Sequence, residues 1–223
     1  MKNNENKYYL YGKHPVVSAV NNKNRKIHHI ICTQNTEKFL IDNISPEILS
    51  KIKLEVKPPH KIDNILNRPE KAAHQGVIAL TEPLNQPDIK SFYNSNILVF
   101  SDKITDPHNI GAIIRSCSAF GAAALITQEK NSPPENATIA KTSAGAIETT
   151  AYLHVNSLWK TIEEFKQQGF TSYGLVGGAE TPINKINAQK KTIIVVGSEG
   201  KGLSSEVKKA CDFLVEIPIN EAI

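Results

Sequence analysis

Two short polar stretches carry the residue types in this chain that most clearly suggest chemistry. One runs from Asp106 to Ser116 and reads Asp-Pro-His-Asn-Ile-Gly-Ala-Ile-Ile-Arg-Ser, and the other runs from Gly197 to Leu203 and reads Gly-Ser-Glu-Gly-Lys-Gly-Leu. Each follows an apolar run typical of a buried strand, over 96–100 and 192–196. Polar, glycine-bearing turns at the carboxyl ends of buried strands are where open α/β sheets form ligand sites. Together the two turns predict an active site.

The first stretch is predicted to turn at Asp106-Pro107 and to begin a helix that Asn109 caps. Gly111 would allow another backbone to approach closely. The residues expected on the buried face of the helix are Ile110, Ile113, Ile114, Cys117 and Phe120. Arg115 lies beside that face and could hold a phosphate with its planar, forked guanidinium group. The alternative is an exposed helix arginine in a surface ion pair.

The second stretch matches none of the common nucleotide-binding glycine loops. Gly197, Gly200 and Gly202 are not in the G-x-G-x-x-G order, no acidic residue follows at the spacing that would suit a ribose, and the P-loop pattern is also absent. This disfavours a generic nucleotide-binding enzyme of Rossmann type. A backbone loop of this kind could lie against an adenine or a methionyl group, and it could equally be a plain strand-to-helix connection.

The composition of the chain and the distribution of its charge limit the kinds of protein that it can be. The chain has 223 residues, 40% of them apolar, and a formal charge of +4. Residues 1–95 contain 14 Lys/Arg and 9 Asp/Glu, and residues 96–223 contain 12 and 13. A basic leading region suits a polyanion-binding module placed before a neutral catalytic one, although a lysine-rich solvated surface would look the same.

The cellular location of the protein and its metal content are also predicted from simple features of the sequence. The start, Met1 to Lys7, is polar, and no apolar run has the length of a membrane span. Cys32, Cys117 and Cys211 are read as idle thiols in a reducing cytoplasm. The histidines lack metal-ligand spacing, so no metal site is expected.

The coarse pattern predicts two α/β regions. In the leading one, strands near 27–32, 54–56 and 76–80 alternate with helices near 16–20, 39–52 and 61–66, the second of which is expected to break near Pro46. Residues 83–95 read as a linker. Further strands are predicted near 97–101, 123–127, 151–155, 171–176, 192–196 and 213–217. A helix from Ser157 to Gln168, with Ser157 as its cap and Gly169 at its stop, is the clearest of those between them. This spacing predicts a mainly parallel sheet.

The two chemistry-bearing stretches resemble motifs one and two of the SpoU family of RNA ribose 2′-O-methyltransferases, within the SPOUT superfamily. Ile217-Pro218-Ile219 resembles the opening of motif three. Tyr11-Gly12-Lys13-His14-Pro15-Val16 and His74-Gln75-Gly76-Val77 resemble the RNA-binding domain of bacterial 23S rRNA guanosine 2′-O-methyltransferases. The resemblance covers nearly the whole chain from about residue 8.

The resemblance implies an L30e/L7Ae-like RNA-binding domain over 8–82, the linker over 83–95, and an α/β-knot methyltransferase domain over 96–223. The second domain would contain a trefoil knot, form a homodimer through it and bind S-adenosylmethionine. Asn109, Arg115 and Glu199 would be the catalytic residues, with Arg115 acting on the ribose hydroxyl as a base or through the target phosphate. The implied cofactor-binding residues are Gly177, Gly197, Gly200, Ile217 and Ile219. Lys13 and His14, together with Arg115, are expected to contact RNA.

One departure from the family concerns its third motif, which continues with a Ser-Leu-Asn-x-Ser run where this sequence reads Asn220-Glu221-Ala222-Ile223. We expect that run to lie beyond the printed residues. The expected activity is S-adenosylmethionine-dependent methylation of a guanosine ribose in 23S rRNA. The alternatives are a tRNA ribose methyltransferase, disfavoured because of the fused leading domain, and a catalytically silent RNA-binding or ribosome-assembly factor.

Overall fold

A computed structural model describes residues 7–67, 73–186 and 190–218 of the chain. The elements of the first part follow in this order: β1 (Tyr8–Tyr11), α1 (Lys13–Asn21), β2 (Ile27–Cys32), α2 (Gln34–Asn43), α3 (Pro46–Leu49), β3 (Lys53–Val56), α4 (Pro59–Leu66) and β4 (Val77–Thr81). The elements that follow are β5 (Ile97–Asp102), α5 (Pro107–Ala119), β6 (Ala124–Gln128), α6 (Ala137–Thr142), β7 (Ala151–Val155), α7 (Leu158–Gln167), β8 (Thr171–Leu175), β9 (Thr181–Pro182), β10 (Thr192–Gly197), α8 (Ser205–Ala210) and β11 (Phe213–Glu216).

The chain forms two compact units, and each unit consists of two separate stretches of sequence. The first unit comprises residues 1–85 and 135–149, and the second comprises 86–134 and 150–223. Residues 135–149, here called the returning segment, therefore leave the second unit and pack within the first. The sequence-based boundaries 8–82, 83–95 and 96–223 describe modules along the chain and remain a prediction.

The first unit is built on a four-stranded mixed sheet in the order β1-β4-β2-β3. Strand β4 is antiparallel to both β1 and β2, whereas β2 and β3 are parallel. Strand β1 was not predicted. Its four residues are too few to show an alternation by themselves, yet Leu10 and Tyr11 are buried once β4 pairs with them. The core of this unit includes Ile31, Ile62 and Ile78.

A buried arginine ties the returning segment into the first unit. The side chain of Arg25 is fully buried and makes ion pairs with Glu135 and with Glu148, the latter at 2.7 Å. Its guanidinium also donates to the carbonyl of Glu82 at 2.8 Å. Burial alone would lower the pKa of Arg25, but the hydrogen bond to Glu148 and the surrounding charges raise it above its ordinary value. Arg25 thus keeps its positive charge in a buried position, where a charge is tolerated only when it is paired with an opposite one.

The second unit is built on a seven-stranded sheet in the order β7-β6-β5-β10-β8-β11-β9, in which every described pairing is parallel. The six strands expected from the sequence are present, each within one residue of its predicted limits. Only the two-residue strand β9 was not foreseen. The prediction of an α/β protein with a mainly parallel sheet is therefore confirmed. The trefoil knot remains an expectation from the family resemblance.

The helices show where local signals were misread. Helix α5 begins at Pro107, and its cap is Asp106, whose carboxylate accepts from the amide of His108 at 2.9 Å. Asn109, predicted to be the cap, lies inside the helix. Phe120, predicted to be buried, is 80% exposed because α5 ends just before it. The helix predicted over 39–52 is broken near Pro46 as expected, since α3 begins at that residue, but α2 starts earlier than predicted, at Gln34, and α3 ends at Leu49.

Other expectations from the sequence hold for the described residues. Helix α7 has Ser157 at its cap position, and Gly169 follows it in the left-handed conformation (φ 86°). The three cysteines are free, and burial raises the pKa of the Cys32 and Cys117 thiols to about 11. They therefore stay protonated at neutral pH. None of the described helices combines the length and apolar character that a membrane crossing requires.

Candidate active site

The parallel pairing of β5 and β10 brings the two chemistry-bearing stretches together. The two strands are neighbours from Thr192↔Ile97 to Gly197↔Asp102, so they end at the same level. The turn that begins after Asp102 and the turn that begins after Gly197 therefore emerge side by side at the carboxyl edge of the sheet. This is the location at which open α/β sheets hold ligands.

The second turn, residues 198–203, is folded back on itself and is here called the glycine loop. The amide of Gly202 donates to the carbonyl of Ser198 at 2.9 Å, and these two residues form an isolated antiparallel bridge. Gly200 and Gly202 have φ values of 79° and 62°, which residues bearing a Cβ rarely adopt. The chain ends this turn at Leu203, which is buried in the core of the second unit.

Gly197 is required because the glycine loop folds directly against it. A Cβ at this position would lie 2.3 Å from the carbonyl carbon of Gly202 and 2.6 Å from the amide of Leu203. Both are backbone atoms, which cannot rotate away. The sequence singled out Gly197 as a cofactor residue, and the structure shows that it also sets the path of the loop.

Asp102, which the sequence analysis did not select, closes the glycine loop from the other strand. Its side chain is 1% exposed, and Oδ2 accepts from the backbone amide of Ser204 at 2.6 Å. Strand β5 thus holds the end of the loop that leaves β10. The signal that could have revealed it is an aspartate as the last residue of a buried strand, where a charged side chain needs a partner.

The two turns meet through a hydrogen bond between side chains. Asn109 Nδ2 donates to Glu199 Oε1 at 3.0 Å. Asn109 lies in the first turn of α5, and Glu199 lies in the exposed part of the glycine loop. The prediction that these distant stretches meet is confirmed, and their role as an active site stays a prediction. The bond leaves the carboxylate of Glu199 beside the open edge of the sheet.

Arg115 is on the same helix as Asn109 but does not join this pair. It is exposed and makes no ion pair with any described residue. Six residues of α-helix separate it from Asn109, a rise of about 9 Å along the axis. The structure therefore leaves its guanidinium available to a ligand, and no described contact connects it to Glu199.

The remaining residues predicted to bind cofactor lie at the ends of the neighbouring strands β8 and β11. Gly177 follows β8 and Ile217 follows β11, and the two segments are joined because the amide of Gly178 donates to Glu216 Oε2 at 3.1 Å. A Cβ added at Gly177 or at Gly200 would meet no atom within 4 Å. The backbone at both positions thus faces open space, which fits a ligand lying against main-chain groups. Ile219 lies outside the described residues.

Lys13 and His14 begin helix α1 of the first unit. The backbone amide of Lys13 donates to Oε1 of Gln75 at 3.1 Å, which joins the two sequence motifs of the leading region. Lys13 Nζ lies 5.1 Å from the centre of the Phe39 ring, and the ring of His14 meets Phe39 edge-on. The side chain of Lys141, from the returning segment, donates to Gln75 Oε1 at 2.9 Å. Lys13 and Lys141 therefore meet at Gln75, while Lys13 and His14 both contact the Phe39 ring.

Two family profiles match the chain. The profile of the SpoU rRNA Methylase family matches residues 96–223, and the profile for RNA 2′-O ribose methyltransferase substrate binding matches residues 9–87. A protein of Staphylococcus haemolyticus assigned to the TrmH family of tRNA/rRNA methyltransferases is 33% identical over 218 residues, covering 94% of this chain and 86% of the relative.

Solved structures share the fold at lower identity. The SpoU methyltransferase AviRb from Streptomyces viridochromogenes, in complex with S-adenosylmethionine, has a TM-score of 0.76 and 21% identity, over 97% of this chain and 83% of that one. An rRNA methyltransferase from Sinorhizobium meliloti has a TM-score of 0.74 and 19% identity, over 96% and 80%.

The two profile matches and the Staphylococcus haemolyticus relative, on a fold that the solved methyltransferase structures share, place the chain in the class of RNA methyltransferases. The chain belongs to the SpoU methylase family.

Proposed function

We propose that the chain is an S-adenosylmethionine-dependent methyltransferase that acts on the 2′-hydroxyl of an RNA ribose, and that its substrate is a guanosine of 23S rRNA. The observation that carries the proposal is the bond between Asn109 and Glu199, which joins motif one to motif two at the carboxyl edge of the sheet. The profile match over residues 9–87 supports an RNA ribose substrate. The fused leading module favours rRNA over tRNA.

Cofactor binding is proposed for the main chain around Gly177, Gly197, Gly200, Ile217 and Ile219. The open space beside Gly177 and Gly200 suits a group that needs backbone hydrogen bonds and close approach. When bound, S-adenosylmethionine supplies an activated methyl group, and no metal is needed to drive the transfer.

The residues of the site have to activate and orient a weak nucleophile. A ribose hydroxyl must lose its proton as the methyl group transfers, and the reacting groups must be held in line. An arginine guanidinium group donates hydrogen bonds and has no acceptor, so Arg115 would be a poor base. Its proposed role is to clamp the phosphate beside the target ribose and to stabilise the negative charge that forms on the 2′-oxygen. Asn109 and Glu199 orient the ribose.

RNA capture is assigned to the first unit, with Lys13 and His14 as contacts. Both precede the apolar part of α1, and aromatic and basic groups together recognise unpaired bases. We also propose a homodimer formed through the knot region and a cytoplasmic site of action, which three free, protonated thiols suit.

Replacement of Arg115 tests the catalytic proposal. In Arg115→Ala the rate of methyl transfer from radiolabelled S-adenosylmethionine to RNA should fall at least about 100-fold, since the charge that stabilises the transition state is lost. Cofactor affinity, measured by calorimetry, should stay within about twofold, because Arg115 is outside the proposed cofactor pocket. Lys90→Ala removes an exposed charge before β5, at the opposite edge of the sheet, and should change neither quantity. Retained transfer in Arg115→Ala would remove this residue from the catalytic site.

The target nucleotide is tested by mapping 2′-O-methylation in RNA from cells that lack the protein. Loss of one methylated guanosine in 23S rRNA, restored by the wild-type protein and not by Arg115→Ala, is expected. A lost site in tRNA would identify a tRNA enzyme. An unchanged methylation map, together with RNA binding in vitro, would identify a silent binding factor.

A further inference from the structure

Lys103 has a backbone conformation that its side chain does not favour. Its φ is 57°, in the left-handed region, where a Cβ crowds the neighbouring carbonyl oxygen. Glycine adopts this conformation freely, and Asn and Asp adopt it more readily than Lys does. Lys103 directly follows Asp102, which holds the glycine loop, and precedes the cap of α5. The strained lysine is thus the first residue of the turn that leads from β5 into α5.

Nothing in the described part of the protein uses the Lys103 side chain. It is exposed and makes no ion pair or hydrogen bond with any described residue. Its charge is nevertheless felt nearby. Hydrogen bonds from its own backbone amide and from the Ser205 hydroxyl lower the pKa of Glu206, and the charges of Lys103 and Lys209 lower it further. Because the preceding residue, Asp102, accepts from the amide of Ser204, the backbone of Lys103 lies close to the start of α8, the helix that follows the glycine loop.

A side chain on unfavourable backbone, with no hydrogen bond or ion pair to a described residue, in a turn of the candidate site suggests a role in binding. Strained residues concentrate at ligand sites, where the strain is offset by the surrounding structure. A lysine ammonium on a flexible stem is suited to bind phosphate as a point charge. Arg115 is the other exposed cation without an ion pair on the path between β5 and the body of α5.

We propose that Lys103 is a substrate-binding residue whose ammonium group contacts a phosphate of the RNA strand that enters between α5 and the glycine loop. This inference rests on the proposed RNA methyltransferase function and adds a phosphate contact outside the first unit. With Arg115, Lys103 would hold the backbone of the strand at two points, so that one ribose is presented to Asn109 and Glu199.

The decisive variant is Lys103→Gly, because it removes the charge and relieves the backbone at the same time. Its melting temperature should be equal to that of the wild type within about 2 °C, or higher. Its affinity for a fluorescein-labelled single-stranded RNA, measured by anisotropy, should fall about 3- to 10-fold. The slope of log Kd against log salt should decrease by about 0.7, the value for one phosphate contact on a single strand.

Two further variants complete the test. Lys103→Arg keeps the charge and the strained backbone, so it should retain the affinity and the salt slope of the wild type. Lys90→Ala removes the same charge at the amino end of β5 and should weaken binding by less than about twofold. Unchanged affinity and slope in Lys103→Gly would overturn the inference. So would a fall in its melting temperature beyond about 4 °C, because the side chain would then support the fold.

Failure of this inference is distinguishable from failure of the proposed function. Wild-type protein that binds RNA but transfers no methyl group would contradict the proposed enzyme, while the binding measurements would still decide the role of Lys103. Wild-type protein that methylates RNA with the same KM for RNA as Lys103→Gly would contradict only the role of Lys103.

Discussion

Asp102 and Ser204 form the contact on which the shape of the candidate site most directly depends. The carboxylate is almost fully buried and accepts from a backbone amide at 2.6 Å. Hydrogen bonds to a charged group are stronger than those between neutral groups, and an unsatisfied buried amide is costly. One side chain at the end of β5 thus fixes the end of the loop that carries Glu199.

Asp102→Ala should therefore destabilise the protein and loosen the site. We expect a loss of about 1–3 kcal/mol in the free energy of unfolding, because the amide of Ser204 loses its partner inside the structure. Asp102→Asn keeps one acceptor oxygen of the same shape and should recover most of the loss. Urea denaturation measures the stability, and calorimetry with S-adenosylmethionine measures the site. Equal stability in Asp102→Ala would show that the loop closes without this contact.

At the scale of elements, the glycine loop and the strand before it form one rigid turn. Gly197→Ala would place a methyl group 2.3 Å from a backbone carbon, so either the loop or β10 must move. A loss of about 2–4 kcal/mol is expected from such overpacking against backbone. Gly177→Ala is the matched control, since its Cβ would meet open space and the residue has no left-handed φ. Chemical denaturation should show Gly177→Ala within about 0.5 kcal/mol of the wild type.

The outcome that would contradict this interpretation is a Gly197→Ala protein as stable as the Gly177→Ala control. Cofactor affinity separates the two positions further. Gly177 is proposed to line the cofactor pocket, so its substitution should reduce binding without affecting stability. Gly197→Ala should reduce both, because the displaced loop no longer presents Glu199 to Asn109.

The elements also show what the sequence could reveal. Buried parallel strands are apolar on both faces, so apolar runs such as Ile193 to Val196 can be recognised in the sequence. The limits of these strands were predicted to within one residue. The meeting of Asn109 and Glu199 was predictable because the carboxyl ends of parallel strands share one edge. Phe120 was wrongly predicted to be buried because helical periodicity in the sequence does not indicate where α5 ends. The backbone conformation of Lys103 and the pairing of strand β1 depend on a dihedral angle and on contacts that no local pattern encodes, whereas Asp102 could have been found from its place at the end of a buried strand.

At the scale of the whole molecule, the chain passes between the two units three times, after residues 85, 134 and 149. Arg25 binds residues near each of these points: the carbonyl of Glu82 and the carboxylates of Glu135 and Glu148. Glu135 also accepts from the Tyr8 hydroxyl at 2.6 Å and the Leu84 amide at 3.0 Å. The buried guanidinium of Arg25 thus binds the three segments at which the chain leaves or re-enters the first unit.

Arg25→Met should be among the most destabilising single substitutions in the first unit. It leaves two buried carboxylates without a counter-ion, which costs about 3–5 kcal/mol. Lys26→Met is the matched control at the next residue, because the exposed pair that Lys26 forms with Glu82 is worth less than about 1 kcal/mol. Denaturant unfolding measures the difference, and hydrogen exchange should show lost protection in α6.

Adding Glu135→Gln and Glu148→Gln to Arg25→Met should recover part of the lost stability, since the uncompensated charges disappear with the arginine. A triple variant less stable than Arg25→Met alone would show that packing, rather than charge pairing, holds the returning segment in the first unit.

The returning segment restricts where this protein can be truncated and how its modules can be exchanged. A fragment starting at the family profile boundary, residue 96, would carry Glu135, Glu148 and the buried face of α6 without the strands and the arginine that cover them. Replacing the leading module with one from a different RNA-binding protein would create the same mismatch, unless residues 135–149 were exchanged along with it. The first unit therefore has to be transplanted as two separate pieces of sequence.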